Sequence, residues 1–433
     1  MKTHKHKYKK NNKTKKSDYF KIICNDSHYC LSLDIEQEHI DRFFNYYIDF
    51  KYATNPIYTI NEGNNGFIKK IIYNRDNYKS FAILKFQLKK KNDSLFYEYL
   101  VGSFLNKYTG KIPAFINTLG LYTYSSNNFD ELKKNNLNVK QIKKILTHQT
   151  IDIYNPNIKL GCKYNISILL EDIKPYYILD HMIKNIKHYT KFIKFELINC
   201  LYQLYFTLYY MSNFTHYDLH LGNVLFYKPD VNGYIKFIYN HINGTTTIFN
   251  SQYIIKIIDY ARSYFNEDTY NSKLIQQKVC STPECSPNCG DNYGYYWLNN
   301  TPSSNNSFIS SKERNMSHDL RYLFEIKKIF EKYNLNIDDY NKNLNDILSR
   351  LLYGVNIQKE KEKRYGTVEV NEKNYEYYEK LYPNTIKNII DAKKYIQKKI
   401  TNNNDYFKQL RKIGELNIYE DGRNMKYTMT NGS

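Results

Sequence analysis

The sequence predicts an α+β chain in which strands and one helix come first and mainly helices follow. Residues 58–88 contain short apolar runs separated by turns rich in Asn, Asp and Gly, a pattern typical of strands. Residues 191–211 are apolar on most sides and indicate a helix at the centre of a helical unit. Beyond residue 319 the spacing of apolar residues is again helical. Two unequal units are therefore expected.

The individual elements follow from apolar spacing and from turn residues. An amphipathic helix is expected at 40–48, and residues 94–106 form the one helix of the strand-rich unit. The strands expected are 67–68, 81–86, 166–170, 224–227 and 253–258. The helices expected after the strand-rich unit are 191–211, 319–333, 343–352, 375–381 and 384–400. Residues near 120–163 are rich in Asn and Lys and are interpreted as containing an insertion.

Charge is concentrated at the start of the chain. The 433 residues carry a formal net charge of +20, from 63 Lys and Arg against 43 Asp and Glu. Lysines crowd residues 1–17, which contain almost no apolar side chain, so this basic tail is expected to be disordered. A solvated tail and a tail that contacts acidic protein, anionic lipid or nucleic acid are both open interpretations. A basic tail alone does not indicate a nucleic-acid-binding fold.

The domain organisation follows from these shifts in composition. After the tail, residues 18–57 form an N-terminal extension, 58–170 the strand-rich unit and 171–433 the helix-rich unit. Within the last of these, residues 272–311 are rich in Ser, Asn and Cys and are expected to form a long loop. The oligomeric state is left open by the sequence.

Cysteine use favours a reducing, intracellular compartment, because seven is an odd number and a secreted scaffold pairs its cysteines. The spacing of Cys280, Cys285 and Cys289 favours free thiols over a zinc site. The basic start is not followed by an apolar stretch, so no signal peptide is predicted. The longest apolar segment, 197–211, is shorter than the ~20 residues that a bilayer requires, and no membrane insertion is expected.

The most informative stretch is HYDLHLGN, from His216 to Asn223, which follows the long apolar helix and precedes the strand 224–227. Asp218 can accept a proton from an attacking hydroxyl group, and Asn223 can hold Mg²⁺ on the phosphates of ATP. His216 would anchor the backbone of the loop. His220 would contact the γ-phosphate. The stretch therefore predicts phosphate transfer.

Four further residues fit the same chemistry. Asp259 ends an apolar strand, where a second metal-binding carboxylate is expected. Lys85 lies within the strand 81–86, and Glu98 on the next helix is its natural partner in holding ATP phosphates. Asp319 opens a helix and would brace the loop of Asp218 by accepting backbone hydrogen bonds. Ordinary surface roles remain open for Lys85, Glu98 and Asp319 when each is considered alone.

A turn between two strand candidates contains Gly63 and Gly66. Glycines there let a backbone close over phosphates without side-chain clashes. The pattern G-x-G-x-x-G-x-V maps onto Asn61, Gly63, Gly66 and Ile68, with Asn61 in place of the first glycine. A plain hairpin turn is the alternative interpretation.

Together these residues resemble the eukaryotic-type protein kinase fold, over about 58–330. The sequences D-L-H-x-G-N from Asp218 and I-I-D-Y from Ile257 are most similar to those of haspin-like kinases and of Ser/Thr protein kinases of giant DNA viruses such as mimivirus. The haspin-like group also carries a longer piece before its metal-binding Asp, and residues 228–252 correspond to it. Within an intracellular setting, the viral resemblance adds host cytoplasm or virion as locations.

The resemblance implies a bilobal fold with a β-rich first lobe, one key helix and a mainly helical second lobe. It implies ATP and Mg²⁺ or Mn²⁺ as cofactors and a protein substrate. Leu170 would then border the adenine site, and the backbone of Glu171 and Ile173 would bind adenine, with Asp172 between them.

Three departures from the family pattern leave alternatives open. Tyr217 stands where protein kinases have Arg, so activity is expected without phosphorylation of a loop. No A-P-E motif follows Asp259. His220 stands where many protein kinases have Lys, and D-L-H-x-G-N also resembles aminoglycoside and choline kinases. A small-molecule phosphotransferase and an inactive pseudokinase scaffold are therefore the alternatives.

Overall fold

The chain is of the α+β class, as predicted. The computed structural model describes residues 36–63, 66–87, 94–152, 164–267, 270–271, 275, 294–297, 307–310, 314–353 and 370–430. The basic tail 1–17 and Cys280, Cys285 and Cys289 lie outside the described residues. No helix among the described segments is both long and apolar enough to cross a bilayer.

The first part of the chain is built on a seven-stranded antiparallel sheet of order β5-β1-β2-β3-β7-β4-β6. Its strands are β1 (Ile57–Gly63), β2 (Gly66–Arg75), β3 (Tyr78–Gln87), β4 (Thr118–Tyr124), β5 (Asn136–Leu137), β6 (Thr147–Gln149) and β7 (Asn165–Glu171). Side chains alternate strictly along β2, where every second residue from Phe67 to Tyr73 is buried. This alternation gives the sheet two different faces.

One face of the sheet is covered by the N-terminal extension and by two short helices. The helices on this side are α1 (Glu36–Phe43), α3 (Phe129–Lys133) and α4 (Val139–Ile145). Aromatic residues of the extension, including Phe44, Tyr47 and Phe50, are buried against β2, β3 and β4. The predicted insertion near 120–163 therefore contains two strands of the sheet and part of its cover.

The helix predicted at 40–48 is wrong in its second half. α1 ends at Phe43, and Asn45, Tyr46, Tyr47 and Asp49 then adopt positive φ within a kinked 3₁₀ segment. Tyr47 and Phe50 of this segment are both buried, and the Tyr47 hydroxyl lies 2.8 Å from Ser80 Oγ of β3, so tertiary contacts hold the non-helical backbone.

The other face of the sheet packs on α2 (Ser94–Leu105), on the side of the second part of the chain. The side chains of α2 enter the large core that continues through the helical part. Two hydrogen bonds join the parts here: Tyr97 OH donates to the Ser263 carbonyl at 2.7 Å, and Tyr270 OH donates to the Leu100 carbonyl at 2.6 Å. The predicted helix 94–106 is confirmed.

The second part of the chain is mainly helical. Its helices are α5 (Leu179–Lys184), α6 (Ile186–Phe195), α7 (Leu197–Tyr210), α8 (Arg321–Lys332), α9 (Lys342–Ser349), α10 (Tyr375–Leu381), α11 (Ile389–Lys398) and α12 (Asn404–Phe407). α7 is buried on nearly all sides, as its composition predicts. The predicted helix 384–400 begins late because Ile386 pairs as extended backbone with Leu351, and Asn388 caps α11 at Asp391 N.

The long helix predicted at 191–211 is two helices that meet at Glu196. This residue leaves the helical region, with φ −121°, and its carboxylate is fully buried. It accepts hydrogen bonds from Ser251, from Gln252 and from Tyr406 OH. The break places one buried carboxylate where it accepts hydrogen bonds from polar groups of two later segments. Apolar spacing alone does not indicate such a break.

Several short strands accompany the helices. They are β8 (Tyr176–Ile178), β9 (Phe214–Thr215), β10 (Val224–Tyr227), β11 (Gly233–Asn240), β12 (Thr246–Ser251), β13 (Ile254–Ile257), β14 (Tyr264–Glu267), β15 (Tyr270–Asn271), β16 (Gly294–Trp297), β17 (Ser307–Ser310), β18 (Arg411–Tyr419) and β19 (Lys426–Met429). β10 pairs with β13 and β8. The segment 228–252 folds as the hairpin β11–β12, and β18 pairs parallel to β11.

Two corrections concern strands that the sequence did not predict. β18 and β19 lie beyond residue 400, where no strand is expected, and β16 pairs with β17 inside the predicted loop 272–311. β18 alternates buried and half-buried residues, but its partner β11 is remote in sequence. Such a pairing is set by tertiary packing rather than by local preference.

Candidate active site

The stretch from His216 to Asn223 connects β9 to β10 and is fastened at its start by Asp319. The backbone N–H of His216 donates to Asp319 Oδ2 at 2.7 Å, and that of Tyr217 donates to Oδ1 at 3.1 Å. Asp319 is almost fully buried, and Tyr217 adopts a positive φ of 63°. The brace predicted for Asp319 is present, and it offsets the strain of a bulky residue in the left-handed region.

His216 ties this loop to the end of β13. Its Nε2 lies 2.9 Å from the Ile258 carbonyl, and its Nδ1 accepts the backbone N–H of Asp218 at 3.2 Å. These partners assign the proton to Nε2. Ser263 Oγ donates to the His216 carbonyl at 3.2 Å. The loop of Asp218 and the turn after β13 therefore form one hydrogen-bonded unit, and the anchoring role predicted for His216 is confirmed.

Asn223 and Asp259 are brought together by strand pairing. Val224 pairs with Ile257, and the Ile258 N–H donates to the Asn223 carbonyl at 3.1 Å. Asn223 Nδ2 donates to the Asp218 carbonyl at 2.8 Å, which fixes the orientation of the amide. Asp259 adopts φ 65°, so the chain turns sharply at this carboxylate.

Lys85 links the sheet to Asp259. Its Nζ lies 2.7 Å from Glu98 Oε2 and 2.9 Å from Asp259 Oδ1. The side chain of Glu98 is 2% exposed, and those of Lys85 and Asp259 are 27% and 40% exposed. A buried carboxylate thus holds a lysine that remains partly exposed. The structure brings these three predicted residues into direct contact.

The charges in this cluster shift one another. Burial acts to lower the pKa of Lys85, but Asp259 and Glu98 outweigh it and the pKa is raised. Burial acts to raise the pKa of Asp259, but Lys85, His216 and Arg262 outweigh it and the pKa is lowered. Burial raises the pKa of Glu98 to about 7, although Lys85 opposes this shift. Lys85 is therefore cationic and Asp259 anionic at neutral pH.

Asp218 contacts two arginines that sequence analysis missed. Arg321 Nη1 donates to Asp218 Oδ1 at 3.0 Å, and Arg262 Nη1 lies 3.4 Å from the same oxygen. Arg321 is nearly buried in the first turn of α8 and also reaches Glu325 through Nε at 3.3 Å. In the sequence, only closeness to predicted site residues could have indicated these arginines. Arg321 follows Asp319 by two residues, and Arg262 follows Asp259 by three.

His220 turns back onto its own loop. Its Nδ1 accepts the backbone N–H of Gly222 at 3.0 Å, and a Cβ on Gly222 would lie 2.9 Å from His220 Cε1. Burial lowers the pKa of His220 below its ordinary value. The ring is therefore neutral at neutral pH.

A cavity of about 570 Å³ adjoins this loop on the side of α8. Its lining includes Ile178, Asp180, His220, Arg321 and Lys328. Arg321 lines the cavity and also contacts Asp218, so the cavity lies one side chain away from Asp218. Its volume lies within the usual range for small-molecule sites, which is roughly 300–1,000 Å³.

The glycine turn lies between the end of β1 and the start of β2, in the same sheet as Lys85. Gly63 pairs with Gly66, and the two residues between them lie outside the described part of the chain. A Cβ on Gly66 would lie 1.8 Å from the Phe86 carbonyl oxygen. Close approach of β3 therefore requires glycine at Gly66, independently of any role with phosphates.

The residues predicted to bind adenine lie at the far end of β7. Glu171 pairs with Ala82 of β3, and its Oε2 accepts from Asn117 N at 3.0 Å and Nδ2 at 3.1 Å. Ile173 is buried, and Asp172 N donates to the Phe81 carbonyl at 2.9 Å. The side chain of Glu171 is thus used within the protein, and so is its backbone N–H, which donates to the Asn117 carbonyl at 2.9 Å. The binding of adenine by the backbone of Glu171 and Ile173 stays a prediction.

The donor set fits Mg²⁺ only in part. The amide of Asn223 is oriented by its own Nδ2 bond, and Asp259 is anionic beside it. Oxygen ligands of this kind suit Mg²⁺, which keeps several waters and binds substrate phosphates. Within the described residues, no group of three or more His, Cys, Asp or Glu side chains could hold a metal ion. Two protein ligands would therefore need phosphate oxygens to complete the shell.

Comparison of the chain with models of known protein families and with the curated proteins gives no match. The function of the chain is therefore inferred from the arrangement of its side chains.

Proposed function

We propose that the chain is an ATP- and Mg²⁺-dependent protein kinase that transfers the γ-phosphate to Ser or Thr hydroxyl groups. One observation carries the proposal: Lys85 Nζ lies within 3.0 Å of both Glu98 and Asp259. A strand lysine held by a helix glutamate and next to a metal-binding aspartate is the arrangement that phosphoryl transfer uses to place ATP.

The fold supports a bilobal, protein kinase-like arrangement. Strands β1, β2, β3, β7 and β4 are neighbours in one antiparallel sheet, and α2 packs between this sheet and the helical part. Lys85 comes from the sheet, while Asp218, Asn223 and Asp259 come from loops of the helical part. The 2.9 Å contact of Lys85 with Asp259 joins the two groups of residues directly.

Asp218 is the proposed general base. In transfer, a bond forms between the acceptor oxygen and the γ-phosphorus, and the bond from that phosphorus to the bridging oxygen of ADP breaks. The acceptor proton passes to Asp218, and the electron pair of the broken bond leaves on ADP. Because both arginines contact Oδ1, the proposal assigns the proton to Oδ2.

The remaining residues bind and orient. Lys85 would hold the α- and β-phosphates, with Glu98 fixing its position. Asn223 and Asp259 would hold Mg²⁺, which when bound neutralises charge on the phosphates. The backbone of Glu171 and Ile173 would hold adenine, and the turn at Gly63 and Gly66 would cover the phosphates.

Labelled ATP tests the proposal. Purified protein with Mg²⁺ should phosphorylate itself or a generic basic protein on Ser or Thr, and a metal chelator should abolish the signal. Label that appears only on tyrosine, or in equal amounts with the chelator, would contradict the proposal.

The cavity beside His220 favours a second candidate, a small-molecule phosphotransferase on the same fold. It is large enough for a compact acceptor and touches Arg321, which contacts Asp218. Parallel assays with Ser/Thr peptides, aminoglycosides and choline separate the two candidates. Transfer to a small hydroxyl compound without transfer to peptides would favour the second.

A further inference from the structure

Phosphoryl transfer needs a positive charge near the γ-phosphate and the attacking oxygen, because negative charge on the transferred group must be stabilised there. Lys85 sits on the other side, with Glu98 and Asp259. Two side chains near Asp218 are candidates for this charge: His220, which the sequence indicates, and Arg262, which it does not.

His220 is poorly suited to carry the charge. Its Nδ1 accepts the N–H of Gly222 at 3.0 Å, so protonation of this nitrogen would break the bond that shapes the loop. The ring also lines the cavity on the side of α8. A neutral ring can donate one hydrogen bond but cannot offset charge.

Arg262 acts on two carboxylates of the proposed site, Asp218 and Asp259. Its Nη1 lies 3.4 Å from Asp218 Oδ1, and its charge contributes to the lowered pKa of Asp259. About a third of its side chain, 33%, is exposed. An arginine stays charged at any relevant pH and its planar fork suits phosphate oxygens.

The backbone that carries Arg262 is firmly held. The next residue, Ser263, donates from its N–H to the Tyr260 carbonyl at 3.0 Å and from Oγ to the His216 carbonyl at 3.2 Å. The Ser263 carbonyl accepts Tyr97 OH at 2.7 Å. The guanidinium can therefore change partner while its Cα stays in place.

On the basis of the proposed function, we propose that Arg262, rather than His220, contacts the transferred phosphoryl group. In the nucleotide complex its guanidinium turns from Asp218 Oδ1 to γ-phosphate oxygens. Arg321 keeps its 3.0 Å bond to Oδ1 and so holds the base in position. During transfer Arg262 donates hydrogen bonds to the phosphoryl oxygens, and no proton leaves it, since the acceptor proton goes to Asp218.

Two substitutions separate the candidates. Arg262→Ala removes the charge, whereas His220→Asn keeps an acceptor for the Gly222 N–H and removes the imidazole. Arg262→Ala should lower kcat about 10²–10³-fold, the usual effect of deleting one such donor, and should raise KM for ATP by up to about tenfold, because the contact to the γ-phosphate is also lost in the ground state. Arg262→Lys should recover part of the loss. His220→Asn should lose at least about tenfold less of kcat than Arg262→Ala.

A binding experiment tests the same contact without turnover. The ratio of the Kd for ADP to the Kd for a non-hydrolysable ATP analogue, both with Mg²⁺, reports contacts to the γ-phosphate. This ratio should fall about tenfold in Arg262→Ala and stay unchanged in His220→Asn. Arg423→Ala, an exposed arginine remote in sequence from these loops, is the control for general loss of charge.

An unchanged ratio and an unchanged kcat in Arg262→Ala would overturn the inference, as would an equal loss in His220→Asn. Thermal unfolding of each variant shows whether it is folded, and Arg262→Lys replaces Arg262→Ala if the latter is not. Failure of the proposed function has a different signature: wild type then transfers no label, while the binding ratio still reports on Arg262.

Discussion

The two ion clusters at the centre of the molecule have opposite compositions. Around Lys85 one cation faces two carboxylates, Glu98 and Asp259. Around Asp218 one carboxylate faces two cations, Arg262 and Arg321. The first cluster contains an anionic carboxylate, Asp259, that suits a metal ion, and the second has the positive charge that suits a phosphate. The division of labour proposed for the site follows from this difference.

Among the residues that contact Asp218 or Asp259, the largest effect is expected from removal of the Lys85 charge. Lys85→Met leaves Glu98 and Asp259 without their shared cation, so phosphate transfer should fall about 10²–10³-fold and ATP should bind more weakly. Steady-state kinetics and calorimetric binding of ATP measure both. Lys79→Met, an exposed lysine on the same strand, is the matched control. Equal activity in the two variants would show that the ion cluster around Lys85 does not contribute to phosphate transfer.

A smaller effect is expected from Arg321, which acts on Asp218 rather than on substrate. Arg321→Met should lower kcat about tenfold, since charge-assisted hydrogen bonds contribute roughly 1.5–3 kcal/mol. KM for ATP should not change, and Arg321→Lys should restore part of the rate. Lys327→Met, exposed on the same helix, is the control. A change confined to KM would contradict a positioning role.

Lys69 provides a contrast with Lys85, because it is a buried lysine of the same sheet whose hydrogen-bond partners are neutral rather than carboxylates. Its Nζ donates to Thr59 Oγ1 at 2.8 Å and to the Lys134 carbonyl at 2.7 Å, and burial lowers its pKa to about 8. The folded pKa lies below the unfolded one, so stability from this group rises between about pH 8 and 10.4.

The corresponding variant is Lys69→Met. Its free energy of unfolding relative to wild type should be more favourable at pH 7 than at pH 10, by about 1–3 kcal/mol. Urea unfolding at the two pH values gives this difference. If the difference in free energy of unfolding between the variant and wild type does not change with pH, burial of Lys69 does not disfavour its charged form.

The smallest effect expected concerns acid stability. The folded pKa of Asp259 is depressed, so its contribution to stability is present above the unfolded value near 4 and is lost as the pH falls through the folded value. Asp259→Asn should therefore lose less stability than wild type when the pH falls below about 4. Thermal unfolding between neutral pH and that range measures this. A steeper loss in the variant would reverse the assigned sign.

The same comparison explains what could be predicted from sequence. Lys85, Glu98 and Asp259 each lie on an element with a clear local pattern, and their roles follow from the type and order of those elements. Arg262 and Arg321 look like ordinary charged residues, because their partner Asp218 is far away along the chain. Charge pairs of this kind are created by folding and leave no local spacing to detect.

The fold divides in the same way. Buried strands such as β10 and the apolar helix α7 were predicted because their composition is extreme. The break at Glu196 and the strands β18 and β19 were not, because each depends on partners elsewhere in the sequence. Tyr47 and Phe50 adopt positive φ and are buried in the core, so tertiary packing overrides helical spacing there.

The central claim is that Asp218 is the base in transfer of the γ-phosphate of ATP. The most direct measurement compares wild type and Asp218→Asn for transfer of label from ATP and for binding of ADP with Mg²⁺. Transfer should fall about 10²–10⁴-fold, the range for loss of a general base, while the Kd for ADP stays within threefold. Equal transfer by the two proteins would contradict the claim.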